Sequence, residues 1–256
     1  MRLSKIGDVR IKLHRPITGT CKTLTVRRDT VGNWYVCFSC EVEPLPLPQT
    51  DQVVGIDLGL TTFAYLSNGE TIERQRWMKV DEQDIARLQR KKERFAKDSP
   101  EWRKAVRALQ HAYQRATNRR SNFSHQESRK LVNKYQFIAF EKLDIVNMQA
   151  SGYRTIRRGI ADVAWGQFVH HTVYKAECAG RGTALINPRG TTQECSGCGF
   201  IVPKDLSVRI HNCLNCGLKL PRDHNAALNV LARGLSSIGT GSPVVAVEAP
   251  VLLYGE

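Results

Sequence analysis

Four cysteines in the last quarter of the chain constrain its fold more than any other feature. They form two Cys-x-x-Cys-Gly motifs separated by 14 residues, and Asp223 follows the last of them by seven positions. The glycine after each second cysteine permits the positive φ that closes a tight turn. Two such turns present the tetrahedral set of four sulfurs that zinc prefers. The predicted structural zinc ligands are Cys195, Cys198, Cys213 and Cys216.

The remaining cysteines do not form a metal pattern. Cys21 and Cys178 are isolated, and we expect them to be small buried hydrophobic residues. Cys37 and Cys40 stand in the alternating stretch Trp34–Val42, where an odd separation sends them to opposite faces of a strand, so we expect core packing. The start of the chain lacks an apolar signal segment, and no apolar run approaches about 18 residues. These features predict a cytoplasmic protein with no membrane partner.

The charge of the chain favours a polyanionic partner. Its formal net charge is +14 and its pI is about 9.6, which most simply indicates nucleic acid. Residues 85–134 hold 15 Lys/Arg against four Asp/Glu, with apolar residues at helical spacing and a Ser99-Pro100 helix start. We therefore predict a basic helical hairpin that contacts nucleic acid; the alternative is a merely solvated charged face. The candidate contacts are Arg87, Arg90, Lys91, Lys92, Arg94, Arg103, Lys104 and Arg107.

The order of the predicted elements is the plan of a ribonuclease H-like α/β fold. Strands at Val53–Gly59, Thr61–Leu66 and Glu70–Trp77 precede the hairpin. A strand at Phe137–Glu141, a helix at Ile160–Ala179, a strand at Thr183–Ile186 and a helix at Arg222–Arg233 then follow. Upstream, short strands are predicted at Val9–Leu13, Thr23–Val26 and Trp34–Val42, and prolines 44, 46 and 48 indicate a linker.

Three carboxylates come together in such a fold. The centre of the first core strand and the end of the fourth lie side by side, so Asp57 and Glu141 would converge, and Asp223 in the first turn of the last helix would join them. Their mutual repulsion requires a cation, and oxygen ligands favour Mg²⁺, with Mn²⁺ as a substitute. Two such ions about 4 Å apart can activate water and stabilise the leaving oxygen of a phosphodiester.

The residues around these carboxylates and cysteines resemble one known family. The segments Val54-Gly-Ile-Asp57-Leu-Gly and Phe140-Glu141-Lys-Leu-Asp-Ile, with the cysteine pairs and Arg222-Asp223-x-Asn-Ala-Ala, look like the split RuvC nuclease motifs and zinc ribbon of TnpB (OrfB) proteins. The resemblance covers about residues 10–235. It implies an RNA-guided, metal-dependent DNA endonuclease of bacterial insertion sequences, historically called a transposase. A guide RNA from the transposon end and a DNA target are the implied partners.

The resemblance also implies a domain plan. A partial oligonucleotide-binding β-barrel and linker would occupy residues 1–48, and a RuvC-like core with the hairpin at 81–134 would occupy 49–190. The zinc ribbon would span 191–220, the last core helix 221–235 and a disordered tail 236–256. Members of the family are usually longer at the N-terminus, so this chain is expected to begin partway into the barrel.

Three other classes compete with this interpretation. The Gly55-Ile-Asp57-Leu-Gly59 loop also looks like the phosphate loop of actin/Hsp70-type ATPases, but that class needs a second lobe and leaves the zinc ligands unexplained. DDE transposases order their acids Asp, Asp, Glu, whereas the order here is Asp, Glu, Asp as in RuvC-type nucleases. A truncated, non-cleaving regulator that binds RNA or DNA stays open as the alternative function, and a Mg²⁺-dependent nicking assay would separate it from the nuclease.

Overall fold

The computed structural model describes residues 1–151, 154–205 and 207–239. Its strands are β1 (Arg2–Leu3), β2 (Gly7–Asp8), β3 (Thr20–Arg28), β4 (Trp34–Glu41), β5 (Val53–Leu58), β6 (Ala64–Leu66), β7 (Thr71–Ile72), β8 (Phe137–Glu141), β9 (Gly182–Ile186), β10 (Ile210–Asn212) and β11 (Lys219–Pro221). Its helices are α1 (Trp77–Glu93), α2 (Pro100–Lys134), α3 (Ile145–Ser151), α4 (Arg154–Val163), α5 (Trp165–Cys178) and α6 (Arg222–Gly239).

The chain divides into two compact units. Unit 1 comprises Met1–Pro44 and Asp84–Gln114, and unit 2 comprises Leu45–Gln83 together with the chain from Arg115 onward. Helices α1 and α2 each contribute residues to both units. None of the helices in the described ranges is long and apolar enough to cross a membrane.

Unit 2 is built on a five-stranded mixed sheet with the order β7-β6-β5-β8-β9. Strand β8 lies between β5 and β9 and is parallel to both, whereas β5, β6 and β7 form an antiparallel meander. The pairing of Ile56 with Phe140 fixes the register of the two central strands. The predicted mixed α/β architecture is therefore confirmed, including the adjacency of the first and fourth core strands.

The central strands separate two apolar layers because successive side chains point to opposite faces. One face carries Val54 and Ile56, which pack with Ile138, Phe140 and Phe168 in the larger core. The other face carries a smaller cluster of Phe137, Ala139 and Ile186 with Val230 of α6. Strands buried on both faces account for the near-continuous apolar runs in the sequence.

Unit 1 combines an antiparallel hairpin with parts of two helices. Strands β3 and β4 pair from Thr20↔Glu41 to Arg28↔Trp34 around a turn at residues 29–33. Helix α2 begins as predicted, since Ser99 Oγ accepts a hydrogen bond from the Trp102 amide at 3.1 Å. A 2.8 Å hydrogen bond from Gln89 to the Tyr113 hydroxyl joins α1 to α2 as antiparallel neighbours. The predicted helical hairpin is thus present.

Several local predictions were wrong. Residues 9–13 form no strand, the third core strand shortens to Thr71–Ile72, and α1 begins at Trp77. The predicted helix over 160–179 is two helices separated by Ala164, whose φ of 53° is left-handed. Residues 236–239 continue α6 and thus depart from the predicted tail, whereas 240–256 lie outside the described residues.

The prediction for the scattered cysteines was also wrong. Cys21, Cys37 and Cys178 are exposed, and Cys40 is only partly buried. Cys21 and Cys40 are cross-strand neighbours in a two-stranded sheet. A sheet with no third strand has too little cover to bury them, which explains the error.

Candidate active site and metal centre

Helix α6 packs closely against the sheet at two glycines, Gly55 on β5 and Gly234 on α6 itself. A side chain on Gly55 would place its Cβ 2.3 Å from the Ala227 carbonyl oxygen, and one on Gly234 would lie 2.7 Å from the Ala139 Cβ. The helix backbone therefore approaches β5 and β8 directly. Asp57 is two residues beyond Gly55 on the same strand face, and Asp223 is one helical turn before Ala227. This packing points the N-terminus of α6 towards the carboxyl ends of both strands.

Asp57 and Glu141 form a buried pair on neighbouring strands. Both side chains are less than a tenth exposed. Burial, followed by the charges of Glu141 and Asp223 and a hydrogen bond with Glu141, raises the pKa of Asp57 well above its usual value. Burial also raises the pKa of Glu141, although its hydrogen bond from Thr191 opposes that shift. Two adjacent carboxyl groups that resist ionisation are suited to hold a cation, which would allow both to ionise.

Asp223 joins this pair through its charge and is less buried. Its carboxylate contributes to the raised pKa of both Asp57 and Glu141, while its Oδ1 accepts a hydrogen bond from Arg222 Nε at 3.0 Å. The three carboxylates do not form a group whose oxygens all lie within 4.8 Å, since among the described residues only the four cysteines meet that distance. The structure thus brings Asp57 and Glu141 together and places Asp223 beside them, ion-paired with Arg222.

A polar ladder on α6 binds the segment whose Thr191 contacts Glu141, and the sequence did not predict it. Thr191 Oγ1 donates a hydrogen bond of 2.6 Å to Glu141 Oε1. The side-chain amide of Asn229 donates to the backbone oxygens of Thr191 and Glu194, at 2.8 and 2.7 Å. Asn225 and Arg233 bind the same segment from one turn away in either direction. The spacing of four residues could have revealed a polar stripe on α6, although not the segment that the stripe binds.

The four predicted zinc ligands meet in one cluster. Their sulfur atoms all lie within 4.8 Å of one another, with Cys195 and Cys216 3.6 Å apart and Cys198 and Cys213 3.7 Å apart. A tetrahedron with metal–sulfur bonds of about 2.3 Å has edges of about 3.8 Å. Gly199 and Gly217 have φ of 74° and 76°, as each turn requires. The donor set fits a structural zinc ion.

The ionisation of the sulfurs also favours a cation. A hydrogen bond from Asn215 is the largest cause that lowers the pKa of Cys198, to about 6. The Leu218 amide lowers the pKa of Cys216, yet the hydrogen bond with Cys198 and burial outweigh it and raise that pKa to about 12. Crowded sulfurs of this kind ionise together only when a metal neutralises them.

The candidate nucleic-acid contacts all belong to unit 1. Seven of the eight side chains are exposed, and Lys92 is partly buried. Arg87 pairs with Asp84 at 3.2 Å. A cavity of about 570 Å³ is lined by Arg87, Arg90, Lys91, Arg94 and Phe95. Their exposure leaves these cations accessible to phosphate groups.

Comparison with known proteins agrees with these features. Residues 37–151 match the family OrfB_IS605, described as "Probable transposase", and residues 165–230 match the Cas12f1-like TNB domain. A Streptomyces pristinaespiralis protein named "Putative RNA-guided DNA endonuclease" is 35% identical over 93% of this chain and 59% of its own length. The Escherichia coli protein "Putative RNA-guided DNA endonuclease InsQ" is 29% identical over 94% of this chain and 64% of its own.

Solved structures show a similar fold. A chain in the cryo-EM structure of a CRISPR-Cas12f ternary complex matches with a TM-score of 0.55 at 19% identity, over 81% of this chain and 44% of its own. The predicted resemblance to TnpB (OrfB) proteins is confirmed by these two family matches and by the two endonuclease relatives. The chain spans about three-fifths of the length of the Streptomyces pristinaespiralis and Escherichia coli relatives.

Proposed function

We propose that this chain is a TnpB-like RNA-guided endonuclease whose unit 2 hydrolyses DNA phosphodiesters. The observation that carries the proposal is the buried pair of Asp57 and Glu141, whose pKa values are raised where two parallel strands end. The strand order supports a ribonuclease H-like core of the RuvC type, because that plan requires these strands to be adjacent. The names of the two endonuclease relatives support DNA as the substrate and an RNA guide as the partner.

In this mechanism Asp57, Glu141 and Asp223 would hold Mg²⁺, which when bound would supply the positive charge that polarises a phosphate and lowers the pKa of water. Asp57 and Glu141 are fixed by the sheet, and Thr191 restricts the Glu141 carboxylate to one orientation. Asp223 is positioned by α6, and its carboxylate could bind the cation while Oδ1 still accepts the hydrogen bond from Arg222. A phosphate held by that cation would lie near Arg222, whose positive charge would stabilise the transition state.

A matched pair of variants tests this mechanism. The chain is expressed together with the DNA that flanks its gene, the co-purifying RNA is sequenced, and a complementary DNA target is prepared. Asp57→Asn keeps the shape of the side chain but removes its charge, so we expect cleavage in Mg²⁺ to fall by roughly 10²–10⁴-fold. Asp51→Asn, an exposed position just before β5, is the control.

The outcomes separate the two functional hypotheses. Loss of cleavage in Asp57→Asn with nucleic-acid binding retained supports the nuclease. A wild-type chain that binds its RNA and target but never cleaves in Mg²⁺ or Mn²⁺ contradicts it and supports the non-cleaving regulator. Equal cleavage by wild type and Asp57→Asn would assign the activity to other residues.

A further inference from the structure

Unit 1 contains a second cavity, where the β3–β4 turn faces the beginning of α2. Its volume is about 380 Å³, and Arg28, Trp102, Arg103, Val106, Arg107 and Gln110 contribute to its wall. Pockets for small ligands span about 300–1,000 Å³, so the space suits one small molecule or one residue of a polymer. Arg28 and Trp102 are not among the candidate contacts chosen from the sequence.

The charge of this cavity selects an anion. Three guanidinium groups line it, and within the described part of the chain none of them forms an ion pair with a carboxylate. The carboxylate in the wall, Asp29, is occupied by its own turn: it accepts hydrogen bonds from the amides of Val31 and Asn33 and from the side chain of Gln114. Asp29 keeps its negative charge, but three arginines against this one carboxylate leave the cavity lining with a positive excess. Guanidinium groups bind phosphate oxygens in pairs of parallel hydrogen bonds.

The same wall offers a surface for a planar base. Trp102, Val106 and Gln110 are spaced by four residues on α2, so they line one stripe of the helix. The indole of Trp102 supplies a face for stacking, and the Gln110 amide carries both a donor and an acceptor for a base edge. Arg103 follows Trp102 and Arg107 follows Val106, so two cations lie beside the stripe. Arg28 lines the cavity from the end of β3. Its guanidinium also lies 5.8 Å from the Trp34 ring centroid.

We propose that this cavity binds a single unstacked nucleotide of a nucleic-acid strand, with its phosphate on Arg28, Arg103 and Arg107 and its base on Trp102. The proposal rests on the nucleic-acid contact in the proposed function and goes beyond it. A row of exposed cations would contact the backbone at any position, whereas a cavity with an aromatic wall accepts one base at one position. Binding through this cavity therefore depends on the presence of a base.

The test measures binding without cleavage. Fluorescence anisotropy follows the affinity of the full chain for short labelled strands of RNA and of DNA, in which one abasic position is moved along the strand. We expect one position at which removal of the base weakens binding by about 5- to 150-fold, the range of single-base stacking on an aromatic side chain. The polymer with the larger loss, RNA or DNA, is the source of the nucleotide.

Variants connect that loss to the cavity. Trp102→Leu should weaken binding of the intact strand and abolish the sensitivity to the abasic position, while Trp102→Phe, which keeps an aromatic face, should restore both. Arg28→Gln should weaken binding more than Arg10→Gln, because Arg10 is an exposed arginine of unit 1 that does not line the cavity. Retained melting temperatures confirm that the variants fold.

Two results would overturn the proposal. One is an affinity that is the same at every abasic position; the other is an Arg28→Gln variant that binds as well as Arg10→Gln. Because no step depends on Asp57 or on Mg²⁺, a chain that fails to cleave can still pass this test. Conversely, a chain that cleaves DNA but binds equally well at every abasic position would disprove nucleotide binding in the cavity and leave the proposed nuclease activity intact.

Discussion

The two units of this chain treat their apolar side chains in opposite ways. Unit 2 buries Ile56, Phe140 and Phe168 completely between its sheet and helices. Unit 1 leaves much of its apolar surface in solvent: Trp34 is 69% exposed and Leu24 37% exposed on its two-stranded sheet. A closed core holds carboxylates at fixed positions in a low-dielectric frame, which chemistry requires, whereas an open basic surface suits a large ligand. The comparison indicates that the two properties lie in different parts of the chain. The rigid core is in unit 2, and the exposed basic surface is in unit 1.

The largest expected effect concerns zinc, which we predict to be part of the fold of unit 2. Cys213→Ser removes a fully buried ligand, and structural zinc sites contribute about 10–16 kcal/mol in small peptides. We expect loss of the zinc ion by elemental analysis and a large fall in the melting temperature. Cys178→Ser, an exposed cysteine outside the cluster, is the control. A zinc-free preparation with an unchanged melting curve would refute a structural role.

Removal of an aromatic side chain should destabilise unit 2 more than unit 1, although less than the loss of zinc does. Phe168→Ala leaves a cavity beneath Phe63, whose ring centroid lies 4.9 Å away, and should cost about 3–5 kcal/mol in denaturant unfolding. Trp34→Ala removes a ring of similar bulk from unit 1, where we expect a cost of about 0.5–1 kcal/mol because the ring is mostly exposed. Equal costs would show that unit 1 relies on its apolar residues as much as unit 2 does.

The buried acid pair predicts a change of stability with pH. Because the folded-state pKa of Asp57 is raised, the folded protein without Mg²⁺ binds this proton more tightly than the unfolded chain. Its contribution to stability is present below the unfolded pKa, near 3.9, and is lost as the pH rises through the raised value. Asp57→Asn should therefore melt higher than wild type at neutral pH in magnesium-free buffer with zinc retained.

Two comparisons check this interpretation. Added Mg²⁺ should raise the melting temperature of the wild type but not that of Asp57→Asn, since ligands stabilise only the state that binds them. Asp51→Asn should behave like the wild type. An Asp57→Asn variant that is less stable at every pH would mean that the ionised carboxylate is already compensated by protein groups.

The smallest effect sharpens the description of unit 1. Replacing Arg90 by Gln should weaken nucleic-acid binding to a similar extent for all sequences. If Arg90 contacts one phosphate, the slope of log affinity against log salt should decrease by about 0.7–0.9. Arg10→Gln is the matched control. An unchanged slope would show that Arg90 is solvated and does not contact a phosphate.

The sequence predicted the parts of the molecule that depend on local patterns. The apolar strands that contain Asp57 and Glu141 are unbroken hydrophobic runs, and the cysteine spacing alone specified the cluster. Predictions failed where tertiary contacts decide the outcome. Ala164 breaks a helical pattern although alanine is the strongest helix former.

The polar ladder on α6 shows why part of the site was missed. Asn225 and Asn229 are nearly or fully buried, and each hydrogen-bonds to backbone more than 30 residues earlier in the chain. No periodicity within the helix identifies such a partner, because the contact exists only once the 187–196 segment lies on α6. The cavity residue Arg28 was missed for the same reason, since half of the residues in the cavity wall come from the distant helix α2.

The segment between β9 and the first cysteine pair has one further consequence. Thr191 holds Glu141 at one end of it, and Cys195 begins the sulfur cluster at the other, while Asn225 binds the Glu194 carbonyl and the Ser196 amide on either side of Cys195. If zinc and Mg²⁺ bind as proposed, both sites would share this one segment. Coupling through a shared element is reciprocal, because each ligand changes the affinity for the other by the same factor. Zinc bound at the sulfurs would then increase the affinity of the carboxylates for Mg²⁺, and Mg²⁺ would do the same for zinc.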